Sequence, residues 1–187
     1  MPADWGSLIV AQLEFYWDSH LRPRLRGLTD EEYLWEPVEG CWSLRRNDDG
    51  GYVLDDQRPE PDPPPVTTIA WRLIHVALCM STRARAFFDP DVPDDADMFD
   101  PRLLPAELPA TAAAGVRFLG ASYHHWRDGI AALDAAGLSR PLGPKGSYFA
   151  NEPMAALILH VNREVMHHGG ELCLLRDLHR SAPPRRG

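Results

Sequence analysis

The sequence predicts an all-α fold, a four-helix bundle whose helices are joined by long connections. Two observations predict it. Four long stretches carry apolar residues at helical spacing, and no stretch alternates in the way that a convincing strand would. The prolines, 18 in all, cluster between those four stretches rather than within them. Together these patterns place helices and connections in the order that follows.

The first helix is predicted over residues 6–20, where apolar and aromatic side chains share one side. Pro23 should end or kink it, because proline lacks the backbone N–H that a helix interior needs. Thr29 then has the character of an N-cap, followed by acidic residues in the first turn. We therefore expect a short helix that runs from Thr29 toward Trp35.

A long connection over residues 43–65 leads to the second helix. Its Asp49-Gly50-Gly51 step can turn a small hairpin, and its prolines stiffen the approach to the helix. A loop this long is more often functional or mobile than inert. The second helix is predicted over residues 68–89, capped by Thr67 or Thr68. Because its side chains are apolar on nearly all sides, we expect it to be central.

The second half of the chain repeats this alternation. An acidic, proline-rich connection over residues 90–109 precedes a third helix, predicted over residues 110–136 and ended by Gly137. A loop over residues 138–151 follows, and the last helix begins at Pro153 and runs to about His179.

Composition bounds the domain count and the partners. We expect residues 1–180 to form a single domain and residues 181–187 to be a disordered tail. The net charge of −8 argues against nucleic acid as a partner. No apolar run reaches the ~18–20 residues of a membrane span, and the start lacks the features of a signal peptide. The three cysteines have no CxxC spacing, so we expect a protein of the reducing cytoplasm.

The last helix carries the residues with chemical potential. His168 falls inside its apolar stripe and Glu164 at the edge, and the stripe itself comprises Met154, Leu157, Ile158, Val161, Val165, Leu172 and Leu175. Burying a polar group without a partner costs about 2–7 kcal/mol, so both side chains need partners. A metal ion satisfies a carboxylate and an imidazole together, and His75, on the apolar second helix, supplies a third ligand.

Three protein ligands with open positions are typical of a catalytic zinc site, although nickel, iron or manganese also accept this set. Glu171, one turn beyond His168, is the best candidate for a general base or for a residue that orients a ligand, and His167 is the other candidate to move a proton. The Gly169-Gly170 pair costs roughly 1 kcal/mol per residue in a helix, which indicates that a neighbouring helix or a ligand comes close.

Other interpretations of these residues stay open. His75 alone fits a hydrogen-bonded core histidine. Glu164 fits an ion pair near Arg163 or with an arginine of another helix, such as Arg72. His160 or His167 can also replace Glu164 as a metal ligand.

Several of these motifs together resemble the DinB/YfiT-like superfamily. They are the Trp-x3-His helix around His75, the Glu164-x3-His168 pair and the Gly170-x5-Arg176-Asp177 spacing, and the segment from Thr29 to Ser43 is similar to the same proteins. The likeness covers about residues 5–180. It implies a four-helix bundle with a divalent metal at its centre, commonly in dimers, with His75, Glu164 and His168 as the ligands.

The resemblance also implies a class of activity. Some relatives are transferases or isomerases that use the thiols mycothiol, bacillithiol or glutathione. Many members have histidine at the position of Glu164. This chain has glutamate there, and in this it is similar to the mycothiol-dependent maleylpyruvate isomerases. No motif in this chain identifies the residues that would bind a thiol or a substrate.

Two hypotheses follow for the function. The first is a metal-dependent enzyme, an S-transferase, isomerase or hydrolase, in which zinc activates water or a low-molecular-weight thiol toward a small electrophilic molecule. The loops over residues 44–65 and 138–151 would form its rim. The second is a non-catalytic helical module of stress-response type. The first and third helices carry enough aromatic surface to allow a homodimer.

Overall fold

The computed structural model describes residues 4–182, and most of them are helical. The helical character that the sequence predicts is confirmed, and a small two-stranded sheet accompanies the helices. In chain order the elements are α1 (Trp5–Tyr16), a π-helical turn (Trp17–Leu21), α2 (Arg22–Arg24), α3 (Asp30–Tyr33), β1 (Leu44–Arg46), β2 (Tyr52–Leu54), α4 (Ile69–Phe88), a 3₁₀ turn (Pro101–Leu103), α5 (Ala112–Ala131), α6 (Ala135–Ser139), a 3₁₀ segment (Gly143–Phe149) and α7 (Met154–Ser181).

The first helical stretch ends at Arg24, one residue after Pro23, and its geometry changes just before the proline. The backbone N–H of Arg22 bonds to the carbonyl of Trp17, five residues back, in a π-helical turn. This wider turn lies directly before Pro23, where the proline ring would crowd an ordinary α-helical turn. α1 therefore continues through the π-helical turn into α2.

The hairpin lies where the Asp-Gly-Gly step predicts it. β1 and β2 are antiparallel, with Leu44 opposite Leu54 and Arg46 opposite Tyr52. Gly50 has a φ of +83°, a conformation that residues with a Cβ rarely adopt. The strands were not identified from the sequence because each is only three residues long, too short to show an alternating pattern.

α4 is central, as its apolar composition predicts. Thr68 caps it by accepting a hydrogen bond from the backbone N–H of Trp71. α4 packs against α5 and α7, and α1 packs against the same two helices. The side chains of Leu73, Ile74 and Met80 are fully buried in the core that these four helices share.

α5 is shorter than the sequence predicts. It ends at Ala131 rather than at residue 136, and Gly137 lies inside α6 instead of ending α5. The reason is Asp134, whose backbone is extended and whose side chain accepts a hydrogen bond from the N–H of Gly137 at 2.7 Å. This cap starts a new helix and so interrupts the old one.

α7 is anchored near its C-terminal end by a buried ion pair. Arg176, 1% exposed, donates to both carboxylate oxygens of Glu32, at 2.6 and 2.8 Å. It also donates to the backbone carbonyls of Arg24 and Arg26. Arg176 therefore joins α7 to α3, to the end of α2 and to the chain that follows it.

Two expectations concern the chain ends and the membrane. Of the predicted disordered tail, residues 183–187 lie outside the described residues, and Ser181 still belongs to α7. Among residues 4–182, no helix combines the length and the apolar character that a membrane crossing requires.

Candidate metal centre

The packing of α4 against α7 brings together the three side chains singled out as metal ligands. His75 comes from α4, and Glu164 and His168 come from α7, one turn apart on one face. A ligand atom of each lies within 4.8 Å of the others. We call these residues the His75–Glu164–His168 group. Its members form a set that could hold a metal ion.

His168 is held between two carboxylates. Its Nδ1 lies 2.7 Å from Oε2 of Glu171, and its Nε2 lies 3.1 Å from Oε2 of Glu164. Nδ1 also lies 3.2 Å from Nη1 of Arg72, but its contact with Glu171 is the shorter one, and a carboxylate oxygen only accepts, so we place the hydrogen on Nδ1, donated to Glu171. The contact between Nε2 and Glu164 then needs a proton or a metal cation between two lone pairs. Histidines that bind metals typically donate their second ring N–H to a carboxylate in this way.

His75 is half-buried and enclosed by rings. It stacks on Trp71 at 5.0 Å between ring centroids and meets His168 edge-on at 5.0 Å. Burial, together with the nearby charges of His168 and Arg72, lowers the pKa of His75 to about 4. His75 is therefore neutral at pH 7, the state in which an imidazole nitrogen can bind a metal.

Arg72 is a further member of the site, where it contacts Glu171 rather than Glu164. We considered it as an ion-pair partner for Glu164, but Nε of Arg72 lies 2.9 Å from Oε2 of Glu171. Burial lowers the pKa of Arg72, while the carboxylates of Glu171 and Glu164 oppose that shift. Its position was detectable, because Arg72 precedes His75 by three residues and so shares its face of α4.

The two histidines that could replace Glu164 both have other contacts. His160 accepts a hydrogen bond at Nδ1 from Arg163 at 2.7 Å, and the same atom lies 3.7 Å from Glu164. His167 is 65% exposed, with Nε2 at 3.4 Å from Oε1 of Glu171. Neither contact excludes a metal at these rings.

A second possible metal-binding set comprises His167, His168 and Glu171. The guanidinium of Arg72 lies against the Glu171 carboxylate of this set. A divalent cation at Glu171 would therefore meet a positive charge that is already in place. Arg72 also lies 3.2 Å from Nδ1 of His168, but an ion in the His75–Glu164–His168 group would use Nε2 of that ring, so we take this group as the candidate site.

The two adjacent glycines of α7 differ in their surroundings. A Cβ built at Gly169 would lie 2.5 Å from the hydroxyl of Tyr16, so a side chain of α1 makes the close approach that the sequence predicts. A Cβ at Gly170 would meet nothing within 4 Å. The prediction of a close neighbour is therefore right for Gly169 and wrong for Gly170, whose position is open to solvent.

Cavities lie on both sides of the group along α7. One, of about 530 Å³, is lined by His160 and by residues that include Leu142 and Phe149 from the loop over residues 138–151. The other, of about 360 Å³, is lined by Arg72 and Glu171 and by Pro64 and Pro65. Both loops expected at the rim thus contribute side chains to a cavity next to the group.

Comparison with known proteins gives one family match. A family model described as the DinB superfamily matches residues 12–172, a range that includes the whole His75–Glu164–His168 group. Neither curated proteins nor solved structures give a match to the chain.

Proposed function

The chain belongs to the DinB superfamily, and from this membership and the site geometry we propose that it is a metal-dependent enzyme. His75, Glu164 and His168 would hold one divalent ion, zinc before nickel, iron or manganese. The enzyme would transfer a low-molecular-weight thiol to a small electrophilic molecule, or isomerise or hydrolyse that molecule. The observation that carries the proposal is His168, which donates to Glu171 through Nδ1 and presents Nε2 toward Glu164.

The residues present fit a metal ion. Zinc ligands lie at about 2.0–2.2 Å from the ion, so neighbouring ligand atoms are roughly 3.3–3.5 Å apart. The group is within 4.8 Å, and small rotations of the Glu164 and His168 side chains would close it. Bound at these three ligands, the ion would supply a lowered pKa for a water or thiol held at its open position.

The side chains around the group have separate roles in this proposal. Arg72 holds Glu171, and Glu171 fixes the ring of His168 in one tautomer. Glu171 and His167 are the candidates to take up the proton that the nucleophile would give up, and Oε1 of Glu171 lies 3.4 Å from Nε2 of His167. His167 is largely exposed, so it can pass that proton to solvent.

The proposal extends to architecture and compartment. α1 and α4 each pack against both α5 and α7, which fits a four-helix bundle with the metal between two of its helices. The three cysteines are free thiols, which fits the reducing cytoplasm, where low-molecular-weight thiols are kept reduced. Residues 1–180 would form the single domain.

A homodimer is the assembly that we favour. α1 exposes Trp5, Leu8 and Phe15, at 71%, 54% and 65%. These residues lie three and seven positions apart, the spacing of an apolar helix face that packs against another helix. Light scattering on the wild type and on Phe15→Glu tests this face: a dimer that the variant converts to monomer supports it, and a monomeric wild type removes it.

The alternative is a non-catalytic helical module. The observation in its favour is that salt links account for both carboxylates of the site. Glu171 contacts Arg72 and His168, and Glu164 contacts His168. On this view the network only holds α4 to α7.

An assay of thiol consumption separates the two functions. Zinc-loaded protein is mixed with mycothiol or glutathione and a series of model electrophiles, with the metal-free protein as the reference. The proposed enzyme consumes thiol only when loaded, and Glu171→Gln lowers the rate. If no combination of thiol and electrophile reacts, and metal-bound water does not exchange with solvent, the non-catalytic module is the better account.

A further inference from the structure

The larger cavity beside the His75–Glu164–His168 group has the size and the wall of a small-molecule pocket. Its volume is about 530 Å³, within the range of roughly 300–1,000 Å³ usual for such pockets. Most of its wall is apolar, and the apolar side chains include Met98, Phe99, Leu142, Phe149 and Leu157. We call this space the Arg83 cavity, after the single arginine in its wall.

Arg83 is a half-buried cation in this apolar wall. Within residues 4–182, no carboxylate forms an ion pair with it, and its buried Nε makes no hydrogen bond. The guanidinium donates to the hydroxyl of Thr82 at 3.0 Å and lies 5.1 Å from the centre of the Phe99 ring. A buried N–H without an acceptor is costly. A carboxylate is the group that a guanidinium binds best, through two parallel hydrogen bonds.

His160 provides a second donor in the same wall. Since a guanidinium can only donate, the 2.7 Å contact from Arg163 makes Nδ1 of His160 an acceptor. The hydrogen of the neutral ring is then on Nε2. Glu152 also lines the cavity, and its side chain is exposed. Its negative charge disfavours a second anionic group on a bound molecule.

The Arg83 cavity adjoins the candidate metal centre. Nδ1 of His160 lies 3.7 Å from Oε1 of Glu164. On α4, Arg83 follows His75 by eight residues, which is a rise of roughly 12 Å and a rotation of about 80° beyond two turns. A molecule anchored at Arg83 can therefore extend along α4 toward the metal ligands.

We propose that the Arg83 cavity binds monocarboxylates with an apolar body, with the carboxylate on Arg83 and the apolar part against the aromatic and aliphatic wall. Monocarboxylates of this kind that also carry an electrophilic centre would be the substrate class of the enzyme, and this second statement rests on the proposed function. Binding itself can be measured independently of catalysis.

Calorimetric titration of the full chain with octanoate and with 1-octanol tests the proposal. The two probes share an apolar body and differ in charge. We expect octanoate to bind at least tenfold more tightly than 1-octanol, and Arg83→Gln to remove that difference. Arg117→Gln is the matched control, because Arg117 is an exposed arginine of α5, and it should leave the preference unchanged.

A second variant keeps the proposal falsifiable if Arg83→Gln does not fold. Ala156 lines the cavity, and Ala156→Phe should fill it and weaken octanoate at least tenfold. Equal affinity for the two probes in the wild type, or unchanged octanoate binding in either folded variant, would overturn the proposal. Metal content measured on the same samples reports separately on the proposed function, so the two can fail independently.

Discussion

At the scale of single residues, Glu171 matters most among the neighbours of the three proposed metal ligands. Its bond to Nδ1 of His168 fixes the ring, and Arg72 fixes the carboxylate in turn. Loss of such a partner typically weakens metal binding by about 10–100-fold. We expect Glu171→Gln to lower zinc affinity by that factor in a competition titration while the fold is retained.

Glu39→Gln is the control for this change, because Glu39 is exposed and lies far along the chain from the site. It should leave zinc affinity unaltered. Equal affinities for Glu171→Gln and the wild type would show that Glu171 does not orient His168.

The adjacent glycines of α7 give a matched pair of substitutions with opposite signs. Gly170→Ala should raise the free energy of unfolding by about 0.5–1 kcal/mol, since alanine favours the helix and the position is open. Gly169→Ala should lower it, because the new Cβ would meet the Tyr16 hydroxyl at 2.5 Å. Chemical denaturation measures both. Stabilisation by Gly169→Ala would contradict the packing of α1 on α7 described here.

At the scale of elements, the Arg176–Glu32 pair is the strongest single link between α7 and α3. Removing one partner of a buried ion pair typically costs about 3–5 kcal/mol, because the other charge stays buried. Arg176→Met should therefore destabilise the protein by about that amount in denaturant unfolding.

Arg180→Met is the control for the Arg176 change. Arg180 also faces Glu32, at 3.8 Å, but it is 54% exposed, so its loss should cost at most about 1 kcal/mol. Equal effects of the two substitutions would mean that Arg176 is not the anchor.

The same pair predicts how stability depends on pH. Burial alone raises the pKa of Glu32, but the hydrogen bonds and charge of Arg176 outweigh it and leave the pKa below its ordinary value. A carboxyl with a lowered folded-state pKa adds stability above its unfolded pKa and loses it as the pH falls through the folded pKa. Thermal unfolding from pH 7 to pH 3 should show this loss in the wild type. The loss should be smaller in Glu32→Gln, and identical slopes would contradict it.

Elements with caps and long apolar patterns were predictable, and elements set by local competition were not. Thr68 and Thr29 are capping residues that the sequence displays directly. The break after Ala131 depends on the side chain of Asp134, which accepts a hydrogen bond from the backbone N–H of Gly137 and caps a new helix. Helical periodicity does not reveal this hydrogen bond. The π-helical turn before Pro23 likewise depends on local backbone geometry that makes room for the proline ring.

At the scale of the whole molecule, the three residues of the candidate site could be predicted from the sequence more completely than the side chains and cavities around them. The Glu164-x3-His168 spacing places two of its residues on one face, and only the packing of α4 on α7 was needed to add His75. The pairing of Arg72 with Glu171, as distinct from its place on the face of α4, and the Arg83 cavity depend on contacts between separate helices and loops. Such contacts join residues far apart in the chain, and neither spacing nor composition indicates which of them meet.

The central claim is that His75, Glu164 and His168 converge on one cation, and metal analysis tests it most directly. Protein purified under mild conditions, without chelator, is measured by elemental analysis for the wild type and for His75→Ala, His168→Ala and His124→Ala. His124 is an exposed histidine of α5 and serves as the control. We predict close to one divalent ion per chain in the wild type and in His124→Ala, and its loss in the other two variants. A wild type that contains no metal and takes up neither zinc, nickel, iron nor manganese would contradict the claim.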